Sequence, residues 1–245
     1  MLTILLSACY PVDNPSDKAN DSGGTNAAAC EAIAPTCIDN MILDLSLHDD
    51  KVSDGAVETT TEGDDFVTTI DASAGGYSKA SKNPWVYVSF QSDGAHRIDI
   101  DDESALEDMT WDLSLRRFIV RLNGGDSGPS CVGGAAVKNK TYAELTSIPD
   151  GVKYATDDYY TDDCTLINDS SGIEGSPQVV LGPWWEYPGC VKTTEIPFLI
   201  QNAEGRVLKL VVEGYYSGDG QAECNSSDAT SADGGYFTIR WRWMD

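Results

Sequence analysis

Three tyrosines, Tyr154, Tyr159 and Tyr160, stand close together in a stretch otherwise rich in Gly, Asp, Ser and Thr. A phenolate oxygen is one of the side-chain ligands that hold haem iron, and the ordinary alternative is loop packing with the hydroxyl in water. The chain has two histidines, His48 and His96, so few groups change charge near neutral pH. His96 follows a hairpin turn, and Met109, beside Trp111, reads as packing. Asp99, Asp101, Asp102 and Glu103 gather hard oxygens in one short run, as do Asp219, Asp228 and Asp233 over a longer loop. Neither group has the spacing of a calcium-binding EF-hand, and solvated loops come first. Gly-x-Ser-x-Gly, His-Glu-x-x-His and phosphate-loop patterns do not occur. The chemistry on offer is therefore binding rather than catalysis.

Six tryptophans, Trp85, Trp111, Trp184, Trp185, Trp241 and Trp243, also suit a sugar or another planar ligand. Trp184 and Trp185 lie between Pro183 and Pro188. Adjacent residues of a strand point to opposite faces, so one of the two is expected at the surface. Of seven cysteines, Cys9 is set aside below; Cys30, Cys37, Cys131, Cys164, Cys190 and Cys224 make an even set, as three disulfides require. Cys30 and Cys37 are close enough in sequence to form a local pair, and the other four allow three connectivities. No Cys-x-x-Cys occurs and neither histidine has ligand spacing to a cysteine, which argues against a metal site.

The elements that must position these groups are strands. Met41, Leu43, Leu45 and Leu47 alternate with Ile42, Asp44, Ser46 and His48, the period-2 pattern of a half-buried strand. Phe66 to Ile70 reads as a short strand, and Pro84 to Phe90 as an aromatic one turned at Asp93-Gly94 into Arg97 to Ile100. Thr110 to Gly128 runs through Phe118, Val120 and Leu122 on one face and Arg117, Ile119 and Arg121 on the other, and stops in Asn123-Gly124-Gly125. From Ser127 to Pro183 the pattern weakens, leaving a helical turn or two at Lys138 to Leu145 and a strand at Val179 to Leu181. Glu195 to Gln201 and Arg206 to Tyr215 form a hairpin, Ser217 to Gly235 an acidic loop, and Tyr236 to Met244 a last strand. The class expected is all-β, a two-sheet sandwich with long strand-connecting loops and little helix.

Trp111-Asp112-Leu-Ser-Leu-Arg-Arg, followed by Asn123-Gly124-Gly125-Asp-Ser127-Gly128, resembles the signature of the HmuY family of Gram-negative surface lipoproteins. Trp85-Val-Tyr-Val-Ser-Phe, Gly205-Arg-Val-Leu-Lys-Leu with Tyr215-Tyr216, and Tyr236-Phe-Thr-Ile-Arg-Trp are similar to its other strands, in the same order. The resemblance implies sheets whose extensions close on a flat ligand, and haem in the founding members. There, histidines or methionines downstream of the Trp-Asp motif clasp the iron. Here both histidines precede Trp111, and the one methionine after it is Met244. No axial ligand transfers position by position.

The net charge of −24 argues against nucleic acid as a partner. Most acidic pairs, among them Asp101-Asp102 and Asp157-Asp158, read as solvated surface. At the start, Leu6-Ser7-Ala8-Cys9 resembles a lipobox, with Cys9 as the lipid attachment. Its apolar run is far shorter than a membrane span. Residues 1–9 thus read as a signal remnant, 10–29 as a tether and 30–245 as one domain. The expectation is an outer-membrane, cell-surface lipoprotein that captures haem or another planar ligand and passes it to an uptake receptor. The alternative is a structural or adhesive lipoprotein, binding glycan or protein, without haem ligands.

Overall fold

Short strands divided by glycine and aspartate turns account for most of the regular structure. The computed structural model describes residues 30–171, 173 and 175–244; the Cys9 lipobox and the 10–29 tether lie outside the described residues. Helix α1 (Ile38–Asp44) precedes the hairpin of β1 (Val57–Glu62) and β2 (Asp65–Asp71). A second hairpin joins β3 (Val86–Gln91) to β4 (Gly94–Ile98), and a third joins β5 (Leu113–Arg116) to β6 (Ile119–Leu122). After β7 (Gly133–Ala136), turns and isolated bridges lead to the two-residue strands β8 (Trp185–Glu186) and β9 (Lys192–Thr193). β10 (Phe198–Gln201), β11 (Val207–Tyr216), helix α2 (Gly220–Ser227) and β12 (Gly234–Met244) follow.

The larger sheet has the order β1-β2-β12-β11-β10-β7 and the smaller β4-β3-β5-β6, every pair antiparallel. Alternation along each strand sends one set of side chains between the sheets. Val86, Val88, Leu113, Leu115 and Leu122 from the smaller meet Leu208, Leu210, Val212, Ile239 and Trp241 from the larger. Each such burial contributes roughly 1.5–3 kcal/mol before entropy is subtracted. The fold is all-β with long connections and little helix, as expected.

The smaller sheet is covered on its other face as well. Trp85, Tyr87 and Trp111 pack there against Met41, Leu45, Leu47 and Tyr159 in a second core. Arg121, on the strand face opposite Val120 and Leu122, is fully buried in it. Its Nε donates to Ser114 Oγ at 3.1 Å, a second nitrogen lies 3.3 Å from the Tyr87 hydroxyl, and the guanidinium sits 4.1 Å from the Trp85 ring centroid.

Several local expectations are corrected. Residues 38–44 form a helix, not a strand: Met41 and Leu45, four apart, share a face under either period, and Leu43 is left exposed. The stretch from Trp111 to Leu122 is a tight hairpin rather than one strand, because Arg117 takes a left-handed φ of 52°. The Arg117 N–H donates to the Ala72 carbonyl at 2.7 Å and fixes that turn. Lys138 to Leu145 makes turns only, Val179 to Leu181 is not a strand, and the 217–235 loop contains α2. Trp184 and Trp185 are both buried, since Trp184 enters from a single 3-10 turn and neither is offered to solvent. The disulfides are Cys30–Cys131, Cys37–Cys164 and Cys190–Cys224. Cys30 and Cys37 do not pair with each other because each meets a different part of the long irregular segment.

Candidate functional site

The Trp-Asp and Asn-Gly-Gly residues form scaffold, not a binding surface. Trp111 is buried and its indole N–H donates to the Ala105 carbonyl at 3.0 Å. Asp112 accepts the Phe90 N–H at 2.7 Å, and burial pushes its carboxyl up to about 6. Asn123 donates to the carbonyls of Trp111 (2.9 Å) and Asp108 (3.0 Å) and accepts from the Ser130 N–H. A Cβ on Gly124 would lie 2.5 Å from the Val132 carbonyl oxygen, and one on Gly128 would lie 2.2 Å from Asn123 Oδ1. Ser127 donates to Asp157 at 2.6 Å. Asp157 also accepts the N–H groups of Leu122 (2.9 Å) and Val180 (2.8 Å), so one carboxylate clamps β6, the glycine loop and the segment before β8. Burial pushes Asp157 up to about 6 against those three donors.

Asp157 and Asp102, expected at a solvated surface, are both buried. Asp102 accepts the N–H groups of Trp85 (2.9 Å) and His48 (3.1 Å). With its oxygens so committed, the 99–103 run does not converge on a cation. Among the described residues no group of three or more His, Cys, Asp or Glu is placed to hold a metal.

The three tyrosines point to different places. The Tyr159 ring is fully buried; its hydroxyl lies 3.0 Å from Ser127 Oγ and 3.6 Å from Met41 Sδ, and burial pushes it up to about 12. Tyr160 donates to Asp44 at 3.0 Å, and burial together with that carboxylate raises it. Tyr154 is half-buried, its hydroxyl enclosed without a hydrogen-bond partner and its pKa raised by burial. No common ligand site forms from them in this conformation. His48 Nε2 lies 3.2 Å from the Ser81 carbonyl, and His96 Nε2 lies 2.9 Å from Asp93 on the exposed β3–β4 hairpin.

A different set of tyrosines does converge. Tyr77, Tyr187, Tyr215, Tyr216 and Tyr236 line one open cleft of about 720 Å³. Phe118 and Arg117, from the turn between β5 and β6, complete its floor. Tyr77 and Tyr187 stand at the mouth, 83% and 54% exposed. Tyr215 is buried behind them, pushed up to about 12 by burial against the pull of Arg117. The Tyr216 hydroxyl accepts the Val191 N–H at 2.8 Å. Arg117 donates to the Gly234 carbonyl, its guanidinium lies 5.9 Å from the Tyr215 ring centroid, and its Nε is enclosed without a partner. Flat aromatic walls with one cation suit a planar apolar molecule that carries a negative group. Neither histidine lines the cleft, nor does a methionine, so contact to a haem iron would fall to a phenolate. The tyrosines come from separate segments, and no spacing in the sequence joins them. The usable signal was local: Gly75-Gly76-Tyr77 and Tyr187-Pro188-Gly189 place aromatic rings in turns, where they are hard to bury.

The HmuY protein family model matches residues 81–227, more than half of the chain. That span contains the Trp-Asp hairpin, the Asp157 clamp and part of the tyrosine cleft, and the chain belongs to this family. No curated protein matches the chain. Among solved structures, a Bacteroides fragilis protein assigned as a lipoprotein is 17% identical, covering 75% of this chain and 93% of its own, with a TM-score of 0.47. One from Bacteroides vulgatus, assigned as HmuY-like and haem-binding, is 17% identical over 76% and 95%, with a TM-score of 0.46. The apo HmuY analogue of Tannerella forsythia is 17% identical over 80% and 100%, with a TM-score of 0.45.

Proposed function

We propose that this member of the HmuY family is a non-catalytic, cell-surface capture protein that holds haem or a related planar molecule in its tyrosine-lined cleft. The observation that carries the reading is the convergence of five tyrosines and Arg117 on one cleft. Tyr216 and Phe118 would flank a flat ring, with Tyr215 packed behind them, and Arg117 would face a carboxylate. Haem supplies an iron that accepts an oxygen ligand. Tyr77 and Tyr187 present hydroxyls at the mouth without any rearrangement, whereas Tyr154, Tyr159 and Tyr160 would ligate only if the irregular segment opened. Cys9 would carry the lipid, residues 10–29 would hold the domain off the outer membrane, and an uptake receptor would take the ligand on.

Titration of residues 30–245, disulfides formed, with haemin tests this. One saturable equivalent with a shifted Soret band is expected, weakened at least about tenfold in Tyr187→Phe or Tyr77→Phe, since each tenfold step is only about 1.4 kcal/mol. Loss in Tyr154→Phe, Tyr159→Phe or Tyr160→Phe instead would place the ligand in the irregular segment. A spectrum identical to free haemin would sink the haem reading. The absence of histidine and methionine from the cleft favours one rival, a structural or adhesive lipoprotein that contacts glycan or protein, and that result would leave it standing. For the anchor, labelled palmitate should enter the full chain in cells and fail to enter Cys9→Ser; label retained by that variant would refute lipidation at Cys9.

A further inference from the structure

A second groove lies on the outer face of the larger sheet. Alternation puts Leu208, Leu210 and Val212 of β11 into the core and turns Lys209, Val211 and Glu213 outward; on β12 it turns Arg240 and Arg242 outward. The turns at 138–146 arch over these residues and enclose an open groove of about 1010 Å³. Its cations fall into two groups. Arg240 is taken up by Glu213 (2.6 Å) and Glu62 (2.9 Å), and Arg242 by Asp65 (2.8 Å) and Asp64 (3.3 Å). Lys138, Lys140 and Lys209 have no carboxylate partner among the described residues.

Lys209 is only 3% exposed. It donates to the Tyr142 carbonyl at 2.9 Å and lies 4.0 Å from the Tyr142 ring centroid. An ammonium has three donors, and this bond uses one. Burial lowers its pKa, with Arg242 adding to the effect and Asp65 opposing it. A chain with 40 acids and 16 bases has carboxylates to spare for its lysines. Three lysines gathered in one groove, none of them in an ion pair among the described residues although Asp65, Glu195 and Glu213 line the same groove, are placed to meet an anion from outside.

We propose that this groove binds the carboxylated sugars of an acidic glycan. The carboxylate would meet Lys138 and Lys140, with Lys209, buried against Tyr142, adding its charge from behind. Glu195, Thr141 and Thr194, which also line the groove, match sugar hydroxyls, which both donate and accept. Tyr142 supplies a flat wall for the C–H face of a pyranose. A bare inorganic anion would use the cations alone and leave the aromatic and acidic lining idle. The inference does not rest on the tyrosine cleft, which lies at the other end of β11.

The test is a heteronuclear NMR titration of the full chain, disulfides formed, with a galacturonate trisaccharide, beside the neutral galactose trisaccharide and inorganic phosphate. Saturable shifts at residues 138–146 and along β11 are expected, with the neutral sugar at least about tenfold weaker, on the scale of one charge-assisted hydrogen bond. The surface double variant Lys138→Gln/Lys140→Gln should keep its spectrum and bind the acidic sugar at least about fivefold more weakly, as two exposed ion pairs would account for. Equal binding of both sugars, phosphate binding as tight as the trisaccharide, no saturable shift, or shifts confined to the tyrosine cleft would each overturn it.

Discussion

Asp112 and Asp157 are both buried acids, yet the surroundings differ. Asp157 accepts three donors, whereas Asp112 accepts the Phe90 N–H alone. Its charge is therefore the less compensated, and burial pushes it up to about 6. In the unfolded chain an aspartate titrates near 3.9. Between those values the native state holds the proton that the unfolded chain has released. Stability from this site is thus fully present below about pH 4 and lost as pH rises through about 6. Asp112→Asn removes that titration and keeps an oxygen for Phe90. Urea unfolding of both proteins at pH 4 and pH 7 should show the variant losing about 2 kcal/mol less than the parent over this interval, because an unfolded aspartate is already about half ionised at pH 4. Equal losses would mean that Asp112 ionises as freely in the fold as out of it.

At the scale of elements, the strands that were legible were those whose two faces differ. β12 alternates Phe237, Ile239 and Trp241 with Thr238, Arg240 and Arg242, and the buried and half-buried sets follow that alternation. The β10–β11 hairpin was equally readable, with its turn at Asn202 to Gly205. β5 and β6 were not, because the smaller sheet is buried on both faces and Arg116 and Arg121 lie inside with the leucines. The turn between them carries no Gly, Asn or Pro; tertiary hydrogen bonds to Ala72 and Gly234 hold Arg117 in a conformation its own propensity disfavours. α1 was misread for a related reason: its seven residues give a helical period too little length to declare itself. The glycines of the Asn-Gly-Gly motif were legible as special, but not for what. A Cβ on Gly125 would lie 2.0 Å from the Asp157 carbonyl oxygen, so the motif exists to let two backbone segments touch. The tyrosine cleft was illegible because its walls are distant in sequence and meet only once the sheets are assembled.

Across the whole molecule, the disulfides show how one chain supports two cores of unequal security. The core between the sheets is closed by strand ladders. The second core, under α1, has no sheet on its outer side, and there Cys30–Cys131 and Cys37–Cys164 tie the first described residues to the irregular segment. These bridges span 101 and 127 residues of sequence, so each removes on the order of 4–5 kcal/mol of unfolded-state freedom in the chain-entropy model. Replacing Cys37 and Cys164 together by Ala should then release the second core first. Amide hydrogen exchange is expected to quicken at 38–47 and 157–167 while β11 and β12 keep most of their protection, because local opening follows the contacts that were cut. The Cys190→Ala/Cys224→Ala pair should act elsewhere: Cys190 lines the tyrosine cleft, and its partner lies on α2. Exchange should quicken around α2 and β9, with haemin affinity falling and the second core unchanged. If both pairs of substitutions loosened the molecule uniformly, the two cores would be one cooperative unit and the staples would stabilise the chain as a whole. If the pattern splits, the chain builds its ligand cleft and its N-terminal cover as separable additions to a common pair of sheets.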